Sequence, residues 1–251
     1  MSINDEQATE YRKKGYLVLR GVFSPDEVAT WKAECKRLLS SDLVNPDNLR
    51  TRPRRINGEL ITERFDPIVD VSSVFAEVAR DERILAPIRL LYQDDMCLFK
   101  DKLIFKLPGM TGYAIHQDWS WWQPFPRDIV SVTVAIDGAD ASNGALEVFP
   151  GYQYKLLSTP GETRNMNAEE ASVIDTSHGE MLETQPGDVL LFDCLTPHRS
   201  GPNTSDRSRQ QLYLSYCGAR HGDLYATHAA HYKAYNEVKM TDEEKGRLFF
   251  R

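Results

Sequence analysis

The sequence predicts a mainly β protein with N-terminal helices (α+β), built on a double-stranded β-helix, the jelly-roll or cupin-like core. Two observations carry this expectation. From Met96 onward the runs MCLFKDKLIFKL, YAIHQD, IVSVTVAID, ALEVFP, DVLLFD and QQLYLSYC are short and apolar or alternating, as strands are. Between them Pro108-Gly109, Ser142-Asn143-Gly144, Pro150-Gly151 and Pro186-Gly187-Asp188 supply turns at the spacing of a barrel or sandwich.

Ahead of the strands, residues 4–14 read as an amphipathic helix stopped by Gly15, followed by the apolar strand YLVLRGVF. Ser24 can cap the next helix, with Pro25 at its first position and Glu27 completing a capping box, and the helix runs to about Ser40. Residues 42–66 read as irregular, and 72–92 as one further helix. After Cys217 the chain turns polar and aromatic, with a short helix over 241–249. The expected organisation is one domain over 1–251: a helical layer to about residue 95, the jelly roll over about 96–220, and a tail from 221. No linker, repeat or low-complexity tract divides it.

The 251 residues are 41% hydrophobic and 27% charged, as in an ordinary globular protein. A net charge of −7 gives no general attraction to polyanions, so no nucleic-acid partner is expected. The N-terminus lacks the apolar region of a secretory signal and no run of about 18 apolar residues occurs, so neither export nor membrane insertion is expected and the location reads as cytoplasmic. Cys35, Cys97, Cys194 and Cys217 have no CxxC spacing and read as reduced thiols. Nothing in the sequence sets the oligomeric state.

The chemistry concentrates in YAIHQDWSWW, residues 113–122. In a strand, residues i and i+2 share a face, so His116 and Asp118 would project together while Gln117 points away. A third donor, His198, lies 82 positions after His116 at the end of the apolar strand in GDVLLFDCLTPHRSGPN. Two imidazoles and one carboxylate make the facial triad of non-haem Fe(II) oxygenases, which leaves coordination positions open. The alternative reading is a hydrogen-bonded core histidine beside a turn aspartate.

Trp119, Trp121, Trp122, Tyr152 and Tyr154 suit either a substrate cavity or packing between helices and barrel. Arg50, Arg52, Arg54 and Arg55 suit either an anion-binding lid or a solvated loop paired with acid. Lys102 and Lys106 alternate onto one face and could reach a substrate or cosubstrate carboxylate. His221, His228 and His231 have no periodicity that favours a second metal site over surface or cavity-edge roles. Asn143-Gly144 reads as a turn.

HQDWSWW, SNGALEVFPGYQYK and PGDVLLFDCLTPHRSGPNTSDRSRQQLYLSY, in that order and after EYRKKGYLVLRGVFSPDEV, resemble the phytanoyl-CoA dioxygenase family of Fe(II)/2-oxoglutarate oxygenases. The resemblance covers about residues 5–220. It implies that His116, Asp118 and His198 bind iron and that Ser200 and Arg209 hold the distal carboxylate of 2-oxoglutarate. A planar guanidinium suits that carboxylate. Arg207 is the rival for Arg209's role, and Arg199 should point outward.

The implied cofactors are Fe(II), 2-oxoglutarate and O2. The implied reaction hydroxylates a small molecule with a charged end, such as an aminophosphonate or an amino-acid-like amine, releasing succinate and CO2. Desaturation or epimerisation on the same iron core is the second reading, and a non-enzymatic binding protein the third. Asp118 disfavours halogenation, because halogenases of this superfamily typically replace that carboxylate. Family members act on fatty acyl-CoA, ectoine-like solutes, phosphonates and natural-product intermediates, and no acyl-CoA site is evident here. Many members carry PGSH where this chain has Pro150-Gly151-Tyr152-Gln153.

Overall fold

The computed structural model describes residues 3–56, 58–238 and 240–248. Helix α1 (Asp5–Lys14) opens on an Asn4/Gln7 capping box and closes at Gly15, whose φ of 80° is the left-handed conformation that favours glycine. A Cβ at Gly15 would also collide with the Thr196 hydroxyl, which instead donates to Gly15 O at 2.8 Å. The end of α1 is thereby tied to the loop that precedes His198.

Strand β1 (Tyr16–Leu19) and helix α2 (Pro25–Leu39) follow as expected, the latter with the Ser24/Glu27 capping box. Residues 42–66 differ from expectation: β2 (Thr51–Ile56) and β3 (Glu59–Phe65) form an antiparallel hairpin. Proline and repeated arginine imitate a loop in sequence, but an edge strand tolerates both, and its exposed side is arginine-rich. The expected helix over 72–92 is two helices, α3 (Ser73–Val78) and α4 (Glu82–Tyr92), because Asp81 caps a fresh start by accepting from Arg83 N.

The β region contains β4 (Met96–Lys106), β5 (Tyr113–His116), β6 (Ile129–Ala135), β7 (Leu146–Val148), helix α5 (Ala168–Ala171), β8 (Glu180–Leu182), β9 (Val189–Asp193), β10 (His198–Ser200) and β11 (Arg209–Gly218). Helices α6 (Tyr225–Glu237) and α7 (Asp242–Arg247) complete the described chain. The expected terminal helix corresponds to α7, and its last position, Phe249, lies outside the described residues. Helix α6 was not expected.

The strands make two facing antiparallel sheets, β1-β9-β6-β11-β4-β3-β2 and β5-β10-β7-β8, the jelly-roll arrangement. On the outer face of the large sheet Val130, Val132, Val134, Leu212 and Leu214 pack with Val28, Trp31, Phe75 and Ile88 of the helical layer. Between the sheets, one end is filled by Tyr16, Leu146, Val148, Leu182, Leu190 and Phe192. The other end is polar. Register pairs Lys106 with Arg209, Lys102 with Tyr213 and Lys100 with Ser215, so these six residues fall on one face.

Candidate metal centre

Antiparallel pairing of β5 with β10 sets His116 opposite His198, with ring centroids 4.2 Å apart. Both rings are fixed in the same way. His116 Nδ1 lies 2.8 Å from Ala114 O, and His198 Nδ1 lies 2.9 Å from Thr196 O. A carbonyl only accepts, so each Nδ1 carries the proton and each Nε2 offers its lone pair. Both Nε2 atoms lie 3.8 Å from Asp118 Oδ1. The other Asp118 oxygen accepts from Ser131 Oγ at 2.5 Å. The three ligand atoms thus stand within 4.8 Å of one another, the convergence of this kind found among the described residues.

The local route differs from simple alternation. Strand β5 ends at His116, and Asp118 begins a short 3-10 turn that runs to Trp121. The carboxylate reaches the imidazole side because the chain turns there. Gln117 faces the opposite way and is fully buried. Its Nε2 donates to Leu195 O at 2.5 Å and Lys155 O at 2.8 Å, while its Oε1 accepts from Leu157 N at 2.7 Å. One amide therefore joins the His116 segment to the loop carrying His198.

Burial, with His198 next, holds His116 well below its ordinary pKa. Burial alone would raise Asp118, but His198, Lys102 and His116 outweigh it and keep the carboxylate below its usual range. A neutral His116 imidazole beside an ionised Asp118 suits ligation of a divalent metal.

Lys106 and Arg209, each 1% exposed, sit beside this centre. Lys106 Nζ donates to Ser200 Oγ at 2.9 Å and to Gly201 O, and Arg209 donates to Gly144 O. The Asn143-Gly144 turn, with Gly144 at φ 77°, presents that carbonyl. Neither cation forms an ion pair among the described residues, and Arg209 Nε is buried without a hydrogen-bond partner. Two buried cations without a countercharge are costly, and a carboxylate placed between them would relieve both. The donor set thus fits a 2-oxoglutarate carboxylate as well as a metal.

The rivals lie elsewhere. Arg207 is exposed and pairs with Asp140 at 2.6 Å. Arg199 pairs with Glu147 at 2.5 Å over the Phe149 ring. Arg50 is buried against Asp70, Arg52 and Arg54 pair with Glu63, and Arg55 donates to Gly58 O, so this run is a charge-paired hairpin. His221 pairs with Asp128, while His228 and His231 pack on Phe125. Gln153 donates to the Arg12 and Lys13 carbonyls, Tyr152 accepts from Asp175 N, and Tyr154 is exposed with its hydroxyl on Arg12 O.

The three tryptophans separate. Trp122 lines a cavity together with Asp118, Lys102, Ser131 and Tyr213. Trp119 is a packing residue whose indole donates to the Phe125 and Pro126 carbonyls. Trp121 packs edge-on against Tyr235 of α6. Sequence reasoning missed Gln117 and Ser131, although a serine inside the fully buried run IVSVTVA was an available signal. It also missed Arg64, which α6 meets through the Tyr232 hydroxyl at 3.3 Å.

Comparisons with known proteins place the chain among iron- and 2-oxoglutarate-dependent enzymes. Methylphosphonate hydroxylase from Gimesia maris is 26% identical, over 98% of this chain and 94% of that protein. A probable alpha-ketoglutarate-dependent hypophosphite dioxygenase from Stutzerimonas stutzeri is 30% identical, over 85% and 78%. The structure of EctD from S. alaskensis with bound Fe superposes with a TM-score of 0.76 at 25% identity, covering 87% of this chain and 78% of that one. Residues 11–211 match the family described as phytanoyl-CoA dioxygenase (PhyH). With four-fifths of its length inside that match, the chain belongs to the phytanoyl-CoA dioxygenase family of iron- and 2-oxoglutarate-dependent dioxygenases.

Proposed function

We propose that the protein hydroxylates a small metabolite with a charged end, phosphonate-like in size. Iron is held by His116, Asp118 and His198, and 2-oxoglutarate by Arg209 and Ser200 with Lys106 beside them. The observation that carries this reading is the convergence of three fixed donors next to a buried cation pair that has no carboxylate partner among the described residues. When bound, iron and 2-oxoglutarate supply the oxidising power drawn from O2, with release of succinate and CO2.

The chain's own part is positioning. The Ala114 and Thr196 carbonyls orient the imidazoles, Ser131 orients Asp118, and Gln117 fixes the distance between the two ligand-bearing segments. Trp122 walls the reaction space and limits its water. The small phosphorus oxyacids named for two relatives support a compact, charged substrate.

A succinate-release screen over phosphonates, amines, amino acids, ectoine and acyl-CoAs, with mass spectrometry of the product, tests the reading. The expected result is succinate in step with a product one oxygen atom heavier. A product two hydrogens lighter would establish desaturation. Failure of every compound to raise succinate above background would leave a binding protein.

A further inference from the structure

The cavity beside Asp118 contains a cation that the metal and cosubstrate roles do not use. Lys102 lies on the inner face of β4, half-buried, with its ammonium 5.1 Å from the centroid of the Tyr213 ring. It makes no hydrogen bond or ion pair among the described residues. Two more cations flank it. Lys100, which shares the cavity, binds Asp66 at 2.6 Å, and Arg64 approaches the same carboxylate at 3.8 Å. Asp66 therefore serves two cations at close range, and Lys102, although it feels the fields of Asp118 and Asp66, is in direct contact with no carboxylate among the described residues. Asp118, the other nearby carboxylate, faces the two imidazoles.

We infer that Lys102 is a specificity-determining residue: it receives the anionic head group of the substrate, a phosphonate in the first instance, with Lys100 and Arg64 reinforcing the local field. The inference rests on the proposed oxygenase reading and names the substrate end that reading leaves open. Three points argue for a substrate site rather than a second cosubstrate contact. Lys102 is four residues from Lys106 on one strand, roughly 13 Å along it at the rise of a β-strand. Lys106 reaches Ser200 and adjoins Arg209, whereas Lys102 shares its cavity with Asp118 and Trp122. A head group held at Lys102 would leave the rest of a compact molecule beside Asp118, where hydrogen abstraction must occur. A phosphonate, with three acceptor oxygens and up to two charges, meets this cationic excess better than a carboxylate. A net-neutral zwitterion gains least from it.

The test uses the iron-loaded protein with 2-oxoglutarate present and O2 excluded, and measures methylphosphonate binding by calorimetry for wild type, Lys102→Met and Lys102→Arg. Methylphosphonate, propanoate and ectoine are compared as ligands. The expected result is that wild type prefers methylphosphonate to the other two and that Lys102→Met weakens it at least tenfold. Lys102→Arg should recover part of the loss, while 2-oxoglutarate affinity stays as in wild type. Lys102→Met should also unfold at or near the wild-type temperature, because burial disfavours the lysine's charge and no hydrogen bond or direct ion pair is lost among the described residues. Unchanged methylphosphonate affinity in Lys102→Met, a loss of 2-oxoglutarate affinity in its place, or preference for ectoine would each overturn the inference. Any of these leaves the oxygenase reading intact, whereas absence of succinate release with every substrate overturns that reading instead.

Discussion

Lys106 stands directly opposite Arg209 across the β4–β11 pairing, and both are almost fully buried with no carboxylate paired to them among the described residues. Like charges forced together on adjacent strands raise the energy of the empty site, and an arriving dianion lowers it. Burial, followed by the Arg209 and Arg54 charges, pulls Lys106 down to about 7. Above pH 7 the lysine is then largely neutral until a carboxylate restores its proton. Binding of 2-oxoglutarate is expected to take up protons at pH 8, and its affinity to fall between pH 7 and 9. Calorimetry in buffers of different ionisation enthalpy checks both, and pH-independent binding without proton uptake would place the carboxylate elsewhere.

Arg209 and Arg207 are two residues apart, yet one is buried beside Gly144 and the other is exposed on Asp140. Arg209→Ala should weaken 2-oxoglutarate by roughly 2–5 kcal/mol, part of which comes from leaving the partner charge unpaired. Arg207→Ala should shift it by less than about 1 kcal/mol, as for an exposed pair. Titrating succinate formation against 2-oxoglutarate for both variants separates them, and a reversed order would move the cosubstrate away from Arg209.

The tryptophans divide into a cavity wall and a core residue. Trp122→Ala opens the space beside Asp118, so succinate should exceed hydroxylated product. Trp119→Ala should instead lower stability by about 3–5 kcal/mol, as large core truncations do, with coupling kept. The succinate-to-product ratio, measured beside the unfolding midpoint, distinguishes the two, and a fully coupled Trp122→Ala would remove Trp122 from the substrate wall.

Ser131 holds the oxygen of Asp118 that faces away from the imidazoles. Groups that orient metal ligands typically contribute 10–100-fold in affinity. Ser131→Ala is expected to weaken Fe(II) in that range with little loss of thermal stability, and Ser131→Thr to restore much of it. Equilibrium dialysis of Fe(II) gives the answer, and wild-type affinity in Ser131→Ala would show that Asp118 needs no such support.

Much of this was legible because it depends on local spacing. The capping box at Ser24, the turn glycines and the order of apolar runs specify elements whose energetics are local. His116, Asp118 and His198 were also legible, since two of them are close in sequence and the third ends an apolar strand. What escaped depends on tertiary placement. The β2–β3 hairpin looks like a loop until Glu63 supplies its arginines with a partner. Helix α6 carries Tyr, His and Ala around its whole circumference, so only its packing on Phe99, Trp122 and Lys100 gives it a buried side. Lys102 and Lys106 have the same residue type and the same alternation, and only the residues facing them assign different roles.

On the proposed reading, His116, Asp118 and His198 form one iron site that makes turnover depend on 2-oxoglutarate. The most direct test is Fe(II) binding by the purified protein and by His198→Ala, measured with succinate release on each. Wild type should bind one iron per chain and release succinate only when iron, 2-oxoglutarate and O2 are all present. His198→Ala should remain folded, lose most of its iron affinity and release none. Iron affinity equal to wild type in a folded His198→Ala would rule out His198 as a ligand and with it the three-residue iron site.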